Sequence, residues 1–135
     1  MAYDFDLFVI GGGSGGIATS RRAASHGARV AVAENDRLGG TCVNRGCVPK
    51  KLMVYASHFP KYAEESKGYG WDPGESQFDW NTMITAVNNE VKRLNAIYQR
   101  MVDNAEVKVY RHRARLLDAH TIEVGDEKVT AERIL

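Results

Sequence analysis

Hydrophobic residues change their spacing along the chain, and each spacing predicts an element. Asp4–Ile10 ends in a nearly continuous apolar run, Leu7-Phe8-Val9-Ile10, the pattern of a strand buried on both faces. Five glycines follow between Gly11 and Gly16. Ile17–His26 then carries small apolar residues at helical spacing and meets Gly27, a residue suited to the left-handed position past a helix end. Arg29–Glu34 is a second apolar strand. Strand, glycine turn, helix and strand within about thirty residues make a βαβ unit, whose crossover is right-handed.

Past a loop over Asn35–Thr41, the segment from Cys42 to about Glu65 is mainly helical, with Gly46 and Pro49 disturbing its first turns. Gly68–Gly74 is turn-rich and separates it from the next helix. In Trp80–Val102 the residues Met83, Val87, Val91, Leu94, Tyr98 and Met101 recur by threes and fours, which predicts one long amphipathic helix. Val107–Tyr110 predicts a strand returning to the sheet. Ala114–Leu117, Thr121–Val124 and Lys128–Thr130, with a turn at Gly125-Asp126, predict a small antiparallel meander. Ala131–Leu135 reads as the beginning of a further apolar strand, and hence of a longer chain. The expected class is α/β: a Rossmann-like domain over residues 1–135, with a parallel sheet plus the meander.

Composition narrows the function. The 135 residues carry 18 Lys and Arg against 17 Asp and Glu, a formal net charge of +1. That balance offers no electrostatic footprint for nucleic acid and no polybasic membrane anchor. The longest uncharged run, Leu7–Ser20, is too short to span a bilayer, and the N-terminus lacks a signal peptide's basic start. A soluble, cytoplasmic domain is expected. The 2 cysteines, Cys42 and Cys47, are too few for a disulfide-stapled secreted fold, and in a reducing compartment a close pair is more often redox-active. His26, His58, His112 and His120 are scattered without metal spacing, so no metal site is expected. The basic run Arg111–Arg115 is explained by an exposed strand face, and Trp71, Phe78 and Trp80 by packing around the turn-rich connection.

Gly11, Gly13 and Gly16 form G-x-G-x-x-G between a strand and a helix. In that context Gly11 permits the tight turn, Gly13 lets the backbone approach a pyrophosphate, and Gly16 allows helix to pack on strand. The helix start, with Ser14 and Gly15, offers N–H groups and a positive dipole end to phosphates. Glu34 closes the second strand, where its carboxylate can accept hydrogen bonds from ribose hydroxyls and would repel a 2′-phosphate. The site therefore suits FAD or NAD over NADP.

Gly39-Gly40-Thr41-Cys42-Val43-Asn44-Arg45-Gly46-Cys47-Val48-Pro49-Lys50-Lys51 follows closely. On a regular helix, cysteines five apart would have Cα atoms roughly 8–9 Å apart, whereas a disulfide tolerates at most about 7 Å. Pairing requires a distorted helix, and Gly46 and Pro49 permit one. Arg45, Lys50, Lys51 and a helix N-terminus surround the pair with positive potential, which favours nucleophilic sulfur. The blander alternative is two thiols acting as small hydrophobes.

The glycine turn, Glu34 and G-G-T-C-x-N-x-G-C-x-P-K together resemble the flavoprotein disulfide reductases. Lys50-Lys51-Leu52-Met53 and Arg93–Gln99 resemble the glutathione-reducing branch in particular. The resemblance covers the whole chain and implies the N-terminal, FAD-binding part of such an enzyme. It implies that Cys47 is the flavin-proximal, charge-transfer sulfur, that Cys42 is the thiol attacking the substrate disulfide, and that Lys50 lies near the flavin. Ser14, Gly15, Glu34, Thr41 and the backbone at Ala114 would join the glycines and Cys42 around FAD. Ser14, Arg21 and Tyr98 would contact glutathione disulfide. NADPH, the reductant, would bind a domain outside this chain, and an interface domain would make the parent a homodimer.

Trypanothione-reducing relatives carry an acid where Ala18 stands and a tryptophan where Arg21 stands. Three positions depart from the usual pattern. Arg45 replaces a common valine, as in plant and cyanobacterial members. His112-Arg113-Ala114 replaces Gly-x-Ala, and Met101 replaces a polar residue. Dihydrolipoamide dehydrogenases and mercuric reductases carry Ser-Lys at Lys50-Lys51 and are the alternative within the family. A non-catalytic FAD-binding module is the alternative outside catalysis.

Overall fold

The computed structural model describes residues 2–135. Strand β1 (Phe5–Ile10) leads through the glycine turn into helix α1 (Ser14–Ala24), and β2 (Val30–Ala33) runs parallel to β1, with Leu7 opposite Val30 and Ile10 opposite Ala33. A short helix, α2 (Gly40–Asn44), and then the long α3 (Cys47–Ser66) precede a 3₁₀ turn at Lys67–Tyr69. Helix α4 (Trp80–Asp103) returns the chain to β3 (Lys108–Tyr110), which pairs parallel with β2. The meander follows as β4 (Ala114–Leu116), β5 (Thr121–Val124) and β6 (Glu127–Ile134).

One six-stranded sheet results, in the order β3-β2-β1-β6-β5-β4. The expectation of two separate strands at Lys128–Thr130 and Ala131–Leu135 is corrected. They are one strand, β6, whose first half pairs antiparallel with β5 (Thr130 opposite Thr121) and whose second half pairs parallel with β1 (Ala131 opposite Phe5). Inward-facing Val129 and Ala131 keep period-two alternation across the join, so no break is needed. The meander is thereby a continuation of the parallel sheet.

Strand β2 is buried throughout and β1 on both faces at Phe8 and Val9, while Ile10 at its end is exposed. On one face Phe8, Ala31 and Ala33 pack with Tyr110 and with Ile122, Val124 and Val129 of the meander. On the other, Val9, Val30 and Val32 pack with Ile17 of α1, Val102 of α4 and Leu38 of the loop. The α4 stripe is as expected: Val87 and Val91 are buried and Met83, Leu94, Tyr98 and Met101 half-buried. Asp79 caps α4 by accepting from the Thr82 N–H at 2.6 Å. Past α1, Gly27 takes φ +87 and donates to the Ala24 carbonyl at 2.9 Å, which closes the helix.

Trp71, Phe78 and Trp80 do not pack as expected. Trp71 is 72% exposed and Phe78 68%, and with Phe59 and Tyr62 they line an open groove between α3 and the connection. No residue of α3 is fully buried, so that helix presents no closed apolar wall for the connection to seal. No helix among the described residues is long and apolar enough to cross a membrane.

Candidate functional site

The glycine turn is built by close approach. Gly11 takes φ +113, a conformation that favours glycine. A Cβ on Gly16 would lie 1.9 Å from the Gly11 carbonyl oxygen, so α1 packs directly on the turn. Gly15 has nothing within 4 Å of such an atom, and Gly13 only the Gly40 Cα at 3.9 Å. Gly13 is the N-cap of α1 and supplies no side-chain cap, so the first-turn N–H groups of Ser14, Gly15 and Gly16 face outward at the positive helix end.

Glu34 sews this turn to the following loop. Its Oε2 accepts from the Gly12 N–H and its Oε1 from the Asp36 N–H, each at 2.9 Å. The Gly39 N–H in turn donates to the Gly12 carbonyl at 2.8 Å. A Cβ on Gly12 would meet Leu38 Cδ2 at 2.7 Å, and one on Gly40, at φ +63, would meet the Gly13 Cα at 2.8 Å. Neither Gly12 nor Gly40 has a role of its own in the sequence pattern, because the glycine motif treats the residue at 12 as free. The paired glycines at 39 and 40 were the available signal.

The loop ends earlier than expected, since Gly40 and Thr41 are already helical. The distortion expected at Gly46 and Pro49 lies at Arg45 and Gly46, which separate α2 from α3, whereas Pro49 falls within the first turn of α3. Arg45 has φ −143 and ψ 0, and Gly46 has φ −125 and ψ −113. A Cβ on Gly46 would sit 2.9 Å from the Thr41 carbonyl oxygen and 3.2 Å from the Cys42 Cα, so glycine lets the two helices meet. Half-buried Cys42 falls on α2, and exposed Cys47 begins α3 at the positive end of its dipole.

Both cysteines are free thiols that interact. Cys47, as hydrogen-bond partner first and then as a like charge, holds the Cys42 thiol above its ordinary value of 9.0. Desolvation adds to the rise, while a hydrogen bond from the Cys47 backbone N–H and, more weakly, the Lys50 ammonium oppose it. The folded chain therefore binds the Cys42 proton more tightly than the unfolded chain. Its contribution to stability is complete below pH 9.0 and is lost as pH rises through the folded value. Mass-spectrometric mapping after brief iodoacetamide treatment near neutral pH should find Cys47 modified ahead of Cys42, with the gap narrowing as pH rises. Equal labelling at every pH would contradict this picture of the pair.

Two asparagines hold the Cys42 helix. Asn44 is buried, with its Nδ2 donating to the carbonyls of Gly40 at 2.9 Å and Arg37 at 3.0 Å. Asn95 of α4 donates to Asn44 Oδ1 and to the Leu38 carbonyl, both at 2.8 Å. Sequence reasoning assigned neither a role. A polar residue facing the otherwise apolar side of α4 is the only local signal.

Not every predicted residue converges here. Glu34 and Thr41 line one cleft with Gly40, Asn44 and Arg45. Ala114 lines another, beside His112, Glu123 and Gly125. Arg21 lines an open cleft of about 600 Å³ between α1 and the end of α4, with Arg22, Met101 and Asn104. Tyr98 lies a turn before Met101, half-buried against the helix-facing core, and Ser14 is exposed at the start of α1. The Arg45 guanidinium does not stand as free charge beside the sulfurs, because it pairs with Asp36 at 2.5 Å. Among the described residues, no three His, Cys, Asp or Glu side chains converge to hold a metal ion.

A βαβ glycine turn with a carboxylate at the end of β2 is the architecture of a Rossmann-like domain, here with a thiol pair at a helix break. Residues 5–135 match the family described as pyridine nucleotide-disulphide oxidoreductase, and the chain belongs to that family. It is 56% identical, over its whole length, to a glutathione reductase of Nostoc sp. strain PCC 7120, covering 29% of that protein. It is 47% identical over 98% of its length to a glutathione reductase of Burkholderia cepacia, covering 30% of it. To the chloroplastic/mitochondrial glutathione reductase of Pisum sativum it is 46% identical, covering 26% of it. The chain thus spans less than a third of the relatives it matches.

Proposed function

We propose that residues 1–135 are the FAD-binding part of an NADPH-dependent glutathione-disulfide reductase working in the cytoplasm. The observation that carries this reading is the thiol pair brought together at a helix break, one short helix away from the glycine turn and Glu34. The cradle fits a dinucleotide. The outward N–H groups of Ser14, Gly15 and Gly16 suit a pyrophosphate, and Gly11 and Gly13 let it approach. Glu34 keeps lone pairs for ribose hydroxyls beyond its two backbone bonds. Thr41, Cys42, Lys50 and Ala114 complete the FAD contacts in this reading.

FAD, when bound, supplies the two-electron relay from NADPH to the cysteines. The Cys42 sulfur attacks one sulfur of glutathione disulfide, whose S–S bond breaks, and the proton Cys42 gives up goes to the departing sulfur to release the first glutathione thiol. Cys47 attacks the resulting mixed disulfide, releases the second, and closes the Cys42–Cys47 bond. One disulfide is reduced to two thiols as one forms in the protein, and NADPH restores the dithiol. Arg21 suits the carboxylates of this anionic tripeptide, with Ser14 and Tyr98 as further contacts. The NADPH and interface domains, and a homodimeric assembly, belong to the longer parent.

The test is a visible spectrum of the chain titrated with FAD, before and after two electrons are added. Flavin binding with a long-wavelength band on reduction, lost in Cys47→Ser, is the expected result. A chain that binds no flavin would overturn the assignment of these residues to FAD.

A further inference from the structure

One line of contacts runs from the glycine turn to the break between the cysteines, and its last members have no role in the function proposed above. Gly12 and Asp36 both donate backbone N–H groups to Glu34. The Asp36 carboxylate in turn receives the Arg45 guanidinium at 2.5 Å. Arg45 is the first of the two residues separating α2 from α3, at φ −143 and ψ 0, and its own N–H closes α2 on the Thr41 carbonyl at 2.9 Å. Its side chain thus reaches back nine residues in sequence to the loop and ties it to the break. Arg45, ahead of Arg37, holds the Asp36 carboxyl below its ordinary value of 3.8.

We propose that Asp36 and Arg45 are positioning residues for the Cys42–Cys47 pair. Their ion pair fixes the backbone break that sets one thiol against the other, and anchors that break to the loop Glu34 holds. The inference rests on the redox reading of the cysteines but needs no bound flavin. Arg45 then acts through geometry, with its charge spent on Asp36.

Two mechanisms predict opposite patterns. If Arg45 acted as free charge on the sulfurs, Asp36→Asn would release it and move the pair opposite to Arg45→Val. If the strut acts, both substitutions shift the pair in one direction. Asp36→Asn keeps the backbone N–H that Glu34 accepts, so the glycine turn stays tied.

The purified chain is equilibrated with mixtures of reduced and oxidised dithiothreitol, and the oxidised fraction is read by thiol trapping and mass spectrometry. In this exchange the Cys42 and Cys47 thiols pass two electrons and two protons to the reagent. Its S–S bond opens as the protein's forms. Arg45→Val and Asp36→Asn should each lower the equilibrium constant for the protein disulfide by about two- to fivefold, the scale of an exposed ion pair. The double variant should fall no further than either single one, and Arg45→Lys should recover part of the loss. Glu90→Gln, which breaks the equally exposed Glu90–Arg93 pair at 2.7 Å on α4, should leave the constant unchanged. Unchanged constants in both single variants, opposite shifts, or additive losses would overturn the proposal while leaving the redox reading intact. A wild-type chain that forms no disulfide at any ratio would overturn both.

Discussion

Gly16→Ala is expected to destabilise the chain by about 3 kcal/mol or more, because its Cβ cannot be accommodated by side-chain adjustment. The added atom would sit 1.9 Å from the Gly11 carbonyl oxygen, which is backbone, and 3.1 Å from Val9 Cγ1 on β1. Gly11 is itself held at φ +113 with its N–H on the Ala33 carbonyl at 2.8 Å, so the turn cannot retreat without giving up its pairing with β2. For a domain of this size such a loss lowers Tm by roughly 10 °C or more. Gly15→Ala is the matched control, one residue away in the same helical turn. Nothing lies within 4 Å of its Cβ, and alanine's helix propensity makes it neutral to about 1 kcal/mol stabilising. Thermal unfolding should therefore separate the two variants, with Gly16→Ala melting well below the wild type and Gly15→Ala at or above it. Were Gly16→Ala to melt with the wild type, the close seating of α1 on the turn would not be what that glycine provides.

Elements whose pattern is local were legible in the sequence. The apolar runs of β1 and β2 need only their own period, and the α4 stripe needs only spacing by threes and fours. A helix break between the cysteines is what pairing would require, since an unbroken helix holds positions 42 and 47 too far apart for a disulfide, and the break is present with both thiols free. What stayed hidden depends on partners far along the chain. Asn95 and Asn44 are 51 residues apart, and nothing near either announces the other. Arg45 looked like free charge beside the thiols until the structure placed Asp36 against it. Strand β6 read as two because its pairing partner changes at Thr130–Ala131 while its own alternation does not. Gly12 is a free position in the glycine motif, whereas here it is constrained by Leu38 and Glu34, packed behind the turn from 22 or more residues away.

Asn44→Ala should cost about 2–3 kcal/mol, mostly from carbonyl groups that lose their donor in a partly buried site. Asn44 is 9% exposed, and its side-chain amide serves the Gly40 and Arg37 carbonyls while its oxygen accepts from Asn95. Removing it also opens a void under α2, the helix that carries Cys42. Asn95→Ala should cost less, about 1–2 kcal/mol, since Asn44 keeps its carbonyl partners and the bonds lost are those from Asn95 to the Leu38 carbonyl and to Asn44 Oδ1. The double variant should fall short of the sum by about 1 kcal/mol, because the bond between the two side chains is lost once and counted twice. Chemical denaturation of the four proteins gives that coupling directly. The same four, equilibrated with dithiothreitol, should show a weaker Cys42–Cys47 disulfide wherever Asn44 is missing, since α2 then loses its hold on the loop and on α4 together. Strict additivity would mean that the two asparagines act independently, and that α4 contributes to the redox pair only as a wall against which α2 and α3 rest.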